Sequence, residues 1–216
     1  MAKTQQTNND RMTAIRLITE AVKKYKAELV GKSFMYVFDD DYIEVLYNER
    51  NFKHLTGVHS DLPAKQFFDL AVKGHLRPEQ IGFTETHPFQ LAMKKLGHIN
   101  NLTELATSSR FILEGVATET KGYDFALTDG VFSVLFAPDE CNRHSGTFVA
   151  TSLRDRDCLS KSRDVYRTDY ILSRSTRTGK YDAVLYESEK TKGLPDCVKD
   201  KLNRPLQEEF FAEIER

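Results

Sequence analysis

The chain has 216 residues, of which 40% are hydrophobic and 29% are charged, and its formal net charge is −1. This length and apolar content are enough to bury the core of one large domain, which excludes disordered and fibrous proteins. The nearly balanced charge gives no global indication of a nucleic acid or a membrane as a partner.

The cysteines and the chain start indicate the cellular compartment. Cys141, Cys158 and Cys197 are an odd number without C-x-x-C spacing, so they support neither a disulfide framework nor a zinc site. The first residues are polar, and no apolar run is long enough to span a membrane. We therefore expect a soluble, cytoplasmic protein that makes no membrane contact.

The first predicted element is an amphipathic helix that Asn9 or Asp10 can cap. Apolar residues recur there at spacings of three and four, which is typical of one buried helix face. These residues are Ile15, Ile18, Val22, Tyr25 and Leu29. We assign residues 1–30 to this amino-terminal helix.

A β-hairpin is predicted next, because two aromatic and β-branched runs at 33–38 and 42–47 flank three consecutive aspartates. Asp39, Asp40 and Asp41 together suggest a divalent cation as one alternative. Asp is also a frequent turn residue, and adjacent side chains in a tight turn point apart, which favours an ordinary turn.

Residues 51–59, Asn-Phe-Lys-His-Leu-Thr-Gly-Val-His, follow this hairpin, and we place them in a short polar loop. His54 titrates near neutral pH and can transfer a proton, while Lys53 can hold an anion and Thr56 adds a hydroxyl. Gly57 would let backbone approach a ligand closely. The alternative is that His54 is simply a turn residue.

Three short helices and a group of strands complete the predicted domain. Apolar spacing predicts helices over 62–73, 89–96 and 102–106. Short runs at 110–117, 123–127, 131–136, 147–152, 170–173 and 181–186 are separated by turn residues. Since most neighbouring runs have no helix between them, we predict a mostly antiparallel sheet and an α+β fold over 31–187.

Past residue 187 the chain is polar and charged until Pro205 begins a predicted amphipathic helix with Leu206, Phe210, Phe211 and Ile214. We define 188–216 as a charged tail with a terminal helix. It docks either on the domain or on a partner.

The segment between Cys141 and Lys180 is locally basic, with nine Lys or Arg residues against four Asp. Positive side chains near strand ends can bind a phosphate backbone, and arginine suits two phosphate oxygens at once. The polar residues singled out are Ser152, Arg154, Arg156, Arg174, Arg177 and Lys180. The alternative is surface pairing with Asp155, Asp157, Asp164 and Asp169.

Three motifs together resemble a known family: Phe-Lys-His-Leu-Thr-Gly-Val at 52–58, Ser-Asp-Leu-Pro-Ala-Lys-Gln-Phe-Phe at 60–68 and Asn-Leu-Thr-Glu-Leu at 101–105. They resemble the fourth phage-associated subgroup of the Barnase–EndoU–colicin–RelE-like nucleases, and the resemblance covers about 36–187. It implies a Barnase/RelE-like core and a phage or mobile-element protein that works in a bacterial cell.

The resemblance also implies that an early histidine meets polar residues of later strands, here His54 with Thr151 or Ser152. Such residues permit RNA cleavage without a metal or another cofactor. His54 would take the proton of a ribose 2′-hydroxyl, and Arg154 or Arg174 would neutralise the developing charge. Lys53, Thr56, Thr151, Arg156, Arg177 and Lys180 would bind the RNA. DNA lacks the 2′-hydroxyl and should survive.

The function predicted from these features is a metal-independent endoribonuclease. Its target would be tRNA or the guide RNA of a Cas effector, and in the second case the protein would be an anti-CRISPR. The alternative is a non-catalytic anti-CRISPR or nucleoprotein-binding inhibitor that uses the same basic strands. A third possibility is a toxin against cellular RNA.

Overall fold

The computed structural model describes residues 2–108, 111–119, 121–142, 146–154, 156, 158–191 and 193–211. Within this part of the chain, helices pack against a single curved sheet. The helices are α1 (Ala2–Glu28), α2 (Glu49–Thr56), α3 (Ala64–Lys73), α4 (Phe89–Ile99), α5 (Leu102–Ser108) and α6 (Arg204–Phe211). The strands are β1 (Lys32–Phe38), β2 (Asp41–Leu46), β3 (Phe111–Ala117), β4 (Gly122–Thr128), β5 (Ser133–Pro138), β6 (Thr147–Arg154), β7 (Asp164–Arg167), β8 (Tyr170–Ser175) and β9 (Ala183–Glu187).

The strands form one nine-stranded sheet in the order β7-β3-β4-β5-β6-β2-β1-β8-β9. All neighbours are antiparallel except β2 and β6, which run parallel. The predicted α+β class and mostly antiparallel sheet are therefore confirmed. Strand β7 was not predicted, because its four residues, Asp-Val-Tyr-Arg, offer too short an apolar pattern.

The amino-terminal hairpin forms as predicted, with β1 and β2 paired from Ser33 and Leu46 to Phe38 and Asp41. Asp39 has φ of 49°, a left-handed conformation that aspartate tolerates in turns. Among the described residues, no group of three His, Cys, Asp or Glu side chains could hold a metal ion. Asp39 and Asp40 therefore form the turn, and Asp41 begins β2.

Strand β1 is buried on both faces because the sheet is covered on two sides. Phe34, Tyr36 and Phe38 belong to the main core, which also contains the predicted apolar face of α1. Met35 and Val37 face a second cluster built with the carboxy-terminal segment. This explains why six successive residues of β1 are buried.

The carboxy-terminal segment docks on the domain. Tyr181, Val198, Leu202, Leu206 and Phe211 pack on the face of β1 and β8 away from the main core. The predicted terminal helix is α6, although Ile214 lies outside the described residues. The division at residues 30 and 187 stays a prediction.

Several helix boundaries differ from those predicted, and the largest differences are at the start of α1 and the end of α4. The first helix begins at Ala2, so Asn9 and Asp10 lie inside it and cap nothing; no Gly or Pro interrupts the preceding residues. The fourth helix continues through Gly97 to Ile99, whose side chain is buried. Of the helices in the described ranges, none has both the length and the apolar character needed to cross a bilayer.

Candidate active site

His54 lies on helix α2 and not in the predicted polar loop. The helix has eight residues, buries Phe52, Leu55 and Thr56, and ends where Gly57 adopts φ of 72°. Its apolar pattern is too short to be distinguished from a loop by periodicity. Tertiary packing against α3, α4 and β6 stabilises it.

Lys53 and Thr56, both predicted to bind substrate, hold the end of this helix together. The Lys53 Nζ donates to the carbonyl oxygens of Ser60 at 2.9 Å and Leu62 at 2.8 Å. The Thr56 hydroxyl donates to the Lys53 carbonyl at 2.7 Å and accepts from the Val58 N–H at 3.3 Å. These bonds satisfy carbonyl groups at the helix end and in the loop that follows.

Gly57 allows a close approach, but the group that approaches is a side chain of the protein. A Cβ atom at this position would lie 2.6 Å from Cδ of Lys95, which is on α4. The left-handed φ favours glycine here, and a Cβ atom would also force the Lys95 side chain to shift. Lys95 thereby crosses the carboxy-terminal end of α2.

A cavity of about 870 Å³ opens between α2, the end of β5 and strand β6. Its walls include His54 from α2, Val149 and Thr151 from β6, and Ala137 from β5. The other lining residues are Val30, Asn48, Glu49, Arg50, Asn51, Ala64, Lys65, Lys121, Pro138, Asp139, Glu140 and Cys141. His54 therefore shares a cavity with a hydroxyl residue of a later strand.

The parallel pair β2–β6 creates this arrangement. The two strands pair over only three positions, from Glu44 and Thr147 to Leu46 and Val149. After β2 the chain passes through Tyr47 and enters α2, which packs against β6. The imidazole and the later residues of β6 are thus brought to one wall although they are far apart in sequence.

A β-bulge distinguishes Thr151 from Ser152. The register of β5 and β6 shifts so that Ala150 pairs with Phe136 and Ser152 with Leu135, which leaves Thr151 as the extra residue. Bulges re-aim side chains, and Thr151 lines the cavity. Ser152 is buried opposite Leu135, which packs in an apolar cluster with Cys158.

The environment of His54 lowers its pKa below the usual value of 6.5. The largest cause is partial desolvation, although the residue as a whole is exposed, and the positive charges of Lys53, His87, Lys121 and Lys95 act in the same direction. The negative end of the α2 dipole would favour the protonated ring, but the net shift is downward. The ring is therefore neutral at pH 7 and able to accept a proton.

The cavity carries charges of both signs. Lys65 bridges to Glu49 at 3.0 Å and also pairs with Asp69. The buried Asp139 is held by its own loop, because its Oδ1 accepts the Cys141 N–H at 3.0 Å. The carboxylates of Glu49 and Asp139 are thus already paired with groups of the protein.

Lys121 is a cavity residue that the sequence analysis missed. It ends the β3–β4 turn, where its carbonyl accepts from the Thr118 N–H at 3.1 Å and the Thr118 hydroxyl at 2.7 Å. Its Nζ lies 4.7 Å from the centre of the Tyr123 ring. A lone lysine in a turn has no sequence signal that would link it to His54.

Arg154 reaches the same turn. Its Nη2 donates to Oγ1 of Thr118 at 3.5 Å, so this predicted catalytic arginine contacts the turn that carries Lys121. Arg156 is exposed beyond the end of β6, and its carbonyl accepts from Ser133 Oγ at 3.2 Å. Neither arginine is among the described residues that line the cavity.

Arg174, Arg177 and Lys180 lie in another part of the molecule. Strands β2 and β1 separate β8 from β6, a distance of about 14 Å at the usual strand spacing. The Arg174 Nη1 donates to the Thr178 carbonyl at 2.6 Å, and its guanidinium lies 5.3 Å from the Tyr181 ring centre. Lys180 donates to the Asp200 carbonyl, and Arg177 is exposed.

The described residues of the basic segment 141–180 are therefore spread over several parts of the sheet. It contributes β6, near the middle of the sheet, β7 at one edge and β8 next to the other edge strand. On β7, Asp164 accepts from Arg163 at 2.8 Å, which is not one of the arginines for which surface pairing was the alternative. Asp155 and Asp157 lie outside the described residues.

Comparison with known proteins identifies one family. The model described as phage-Barnase-EndoU-ColicinE5/D-RelE like nuclease 4 matches residues 17–190, which include α2, β6 and the cavity. No curated protein and no solved structure matches the chain significantly.

Proposed function

Because the chain belongs to the phage-Barnase-EndoU-ColicinE5/D-RelE like nuclease 4 family, we propose that it is an endoribonuclease that cleaves RNA in the cavity beside His54. The family is one of phage nucleases, and the residues of the cavity support the finer assignment. The observation that carries it is that His54, Thr151 and Lys121 line one cavity although they come from three separate parts of the chain.

His54 acts as the general base. Its lowered pKa leaves the imidazole neutral at pH 7, so it can take the proton of a ribose 2′-hydroxyl. The freed oxygen attacks the adjacent phosphorus, and the bond to the 5′-oxygen breaks. The products are a 2′,3′-cyclic phosphate and a 5′-hydroxyl, whose proton comes from a cavity group or from solvent.

Lys121 and Thr151 hold the phosphate. The ammonium group of Lys121 stabilises the negative charge that grows on the non-bridging oxygens. The Thr151 hydroxyl donates to the Leu135 carbonyl at 3.3 Å in the free protein, and it turns from that long bond to donate to one of these oxygens. Arg154 supports the turn of Lys121 through Thr118. Since the nucleophile belongs to the substrate, this route needs neither a covalent enzyme intermediate nor a metal ion.

The substrates that we propose are structured RNAs of the bacterial cytoplasm, namely tRNA or the guide RNA of a Cas effector. A phage protein that cuts guide RNA would be an anti-CRISPR. A 2′-hydroxyl is required by the mechanism, so DNA of the same sequence is not cut.

Incubation of the purified protein with labelled tRNA, guide RNA and DNA in the presence of EDTA tests the proposal. Wild-type protein should cut RNA to cyclic-phosphate ends, and His54→Ala should not, whereas His75→Ala, which changes an exposed histidine after α3, should cut normally. Intact RNA together with retained inhibition of a Cas effector would instead identify a non-catalytic inhibitor. Growth arrest on expression without a Cas effector would identify a toxin.

A further inference from the structure

A strip of positively charged and titratable side chains extends from the cavity across the end of α2. We define the cationic strip as Lys121, His54, Lys95 and His87. Lys121 and His54 line the cavity, Lys95 comes from α4, and His87 precedes that helix. Lys95 and His87 are not used by the proposed mechanism.

The members of the strip are electrostatic neighbours. Lys121, Lys95 and His87 all act on His54, and Lys95 acts in turn on His87. Lys53 also acts to lower the pKa of His54, and His59 acts to lower the pKa of His87. Because both histidine pKa values are lowered, the positive charge of the strip at neutral pH is that of Lys95 and Lys121. An anion bound beside these two lysines would stabilise the protein and would raise the pKa of both histidines.

The geometry of the strip is built into the fold. Gly57 is what lets the Lys95 side chain lie across the end of α2, since a Cβ atom would meet Cδ of Lys95. His87 is fixed in a tight turn, where its N–H donates to the Thr84 carbonyl at 3.1 Å and its carbonyl accepts from the Thr84 N–H at 3.0 Å. Its Nδ1 is 3.1 Å from the Thr86 hydroxyl, which leaves Nε2 facing outward from that pair.

The strip is accessible from the cavity side. His54, His87 and Lys121 are exposed, and Lys95 is half-buried. It contrasts with the cavity itself, whose wall also includes Glu49, Asp139 and Glu140. A polyanion leaving the cavity would therefore meet positive charge on the side of α4.

We propose that the cationic strip binds the phosphate next to the one being cleaved, so that the substrate is an RNA strand with at least two phosphodiesters. This inference rests on the proposed function, because it assumes that the scissile phosphate occupies the cavity beside His54. Lys95 and His87 are binding residues for the backbone and read no base. Such contacts displace counterions, which makes the affinity dependent on salt.

The test measures binding and cleavage separately. Binding of a short 2′-O-methyl RNA strand, which lacks the nucleophile, is followed by fluorescence anisotropy at several salt concentrations. Lys95→Met keeps the aliphatic chain over Gly57 and removes the charge. It should weaken binding severalfold and reduce the slope of log affinity against log salt by about 0.7. His87→Gln should weaken binding less, and Lys95→Arg should restore it.

The matched control is Lys190→Met, which removes one exposed charge beyond β9 at the far edge of the sheet. If Lys95→Met and Lys190→Met change the affinity and the salt slope equally, the proposed role of the cationic strip is wrong. In cleavage assays, Lys95→Met should lower kcat/KM for a trinucleotide more than for a dinucleotide, which has a single phosphodiester. An equal loss on both substrates would also contradict the proposal.

The two proposals fail in different ways. If the wild type cleaves RNA and Lys95→Met has no specific effect, the nuclease proposal is supported and the role of the cationic strip is contradicted. If binding depends on Lys95 but no RNA is cleaved, the nuclease proposal is contradicted and the strip is a surface that binds the RNA backbone. Thermal unfolding of each variant separates a lost contact from a lost fold.

Discussion

Two regions of the sheet carry basic side chains, and these side chains have different surroundings in the two regions. Around β6 and α2, Lys121 and His54 line an open cavity. Around β8 and β9, Arg174 and Lys180 donate to backbone carbonyls of their own neighbourhood. The difference shows that the sheet order, and not the local density of charge, decides which cations can meet a ligand.

The largest expected effect is that of His54→Ala on RNA cleavage. Removing a general base lowers the rate by about 10²- to 10⁴-fold, since no other imidazole lines the cavity among the described residues. Single-turnover cleavage with saturating enzyme measures this loss. Cleavage by His54→Ala at the rate of His75→Ala would mean that the catalytic base lies elsewhere.

Lys121→Met should have the next largest effect, because a charged donor to the phosphate contributes about 1.5–3 kcal/mol, roughly 10- to 100-fold in kcat/KM. The pH profile should also move. Lys121 helps to keep the pKa of His54 low, so its removal raises that pKa and shifts the acid limb of the rate profile to higher pH. Lys190→Met should leave the limb in place.

The charges around His54 bear on that pH test. Besides Lys121, the cations that act on the ring are Lys53, Lys95 and His87, and the cavity adds Glu49, Arg50, Lys65, Asp139 and Glu140. Protonation of His87 in acid would lower the His54 pKa further, so the acid limb of the pH–rate profile becomes broader. A limb that stays fixed in Lys121→Met would show that another group titrates.

Thr151→Val and Ser152→Ala separate the two hydroxyl residues of β6. Loss of one hydrogen bond to a phosphate oxygen costs about 1.4 kcal/mol, or roughly tenfold in rate, if Thr151 makes it. Ser152 is buried opposite Leu135 and is not among the residues that line the cavity, so Ser152→Ala should cleave at nearly the wild-type rate. Steady-state kinetics of both variants show which hydroxyl contributes to cleavage. A larger loss of rate in Ser152→Ala than in Thr151→Val would place Ser152 in the site.

The sequence predicted most of the elements, because their periodicity extends over enough residues. The apolar face of α1 and the two runs of the β1–β2 hairpin are examples. It could not predict α2, which is too short, or β7, which is mostly polar. His54 was found because its side chain has a distinctive chemistry.

The assembly of the site could not be predicted in the same way. Lys121 and His54 line one cavity although the first lies between β3 and β4 and the second on α2, which follows β2 and packs against β6. Thr151 lines the cavity together with Val149, and a single extra residue in β6 leaves Thr151 without a directly paired residue on β5. A one-residue change of register is invisible in a pattern whose period is two.

Arg174→Met is expected to have the smallest effect on cleavage, because two strands separate Arg174 from β6. Its guanidinium instead lies over Tyr181 and binds the Thr178 carbonyl. The change should lower the free energy of unfolding by about 1 kcal/mol, measured by urea denaturation. A large loss of cleavage with unchanged stability would instead extend the RNA path to β8, and the two regions of the sheet would then act as one surface.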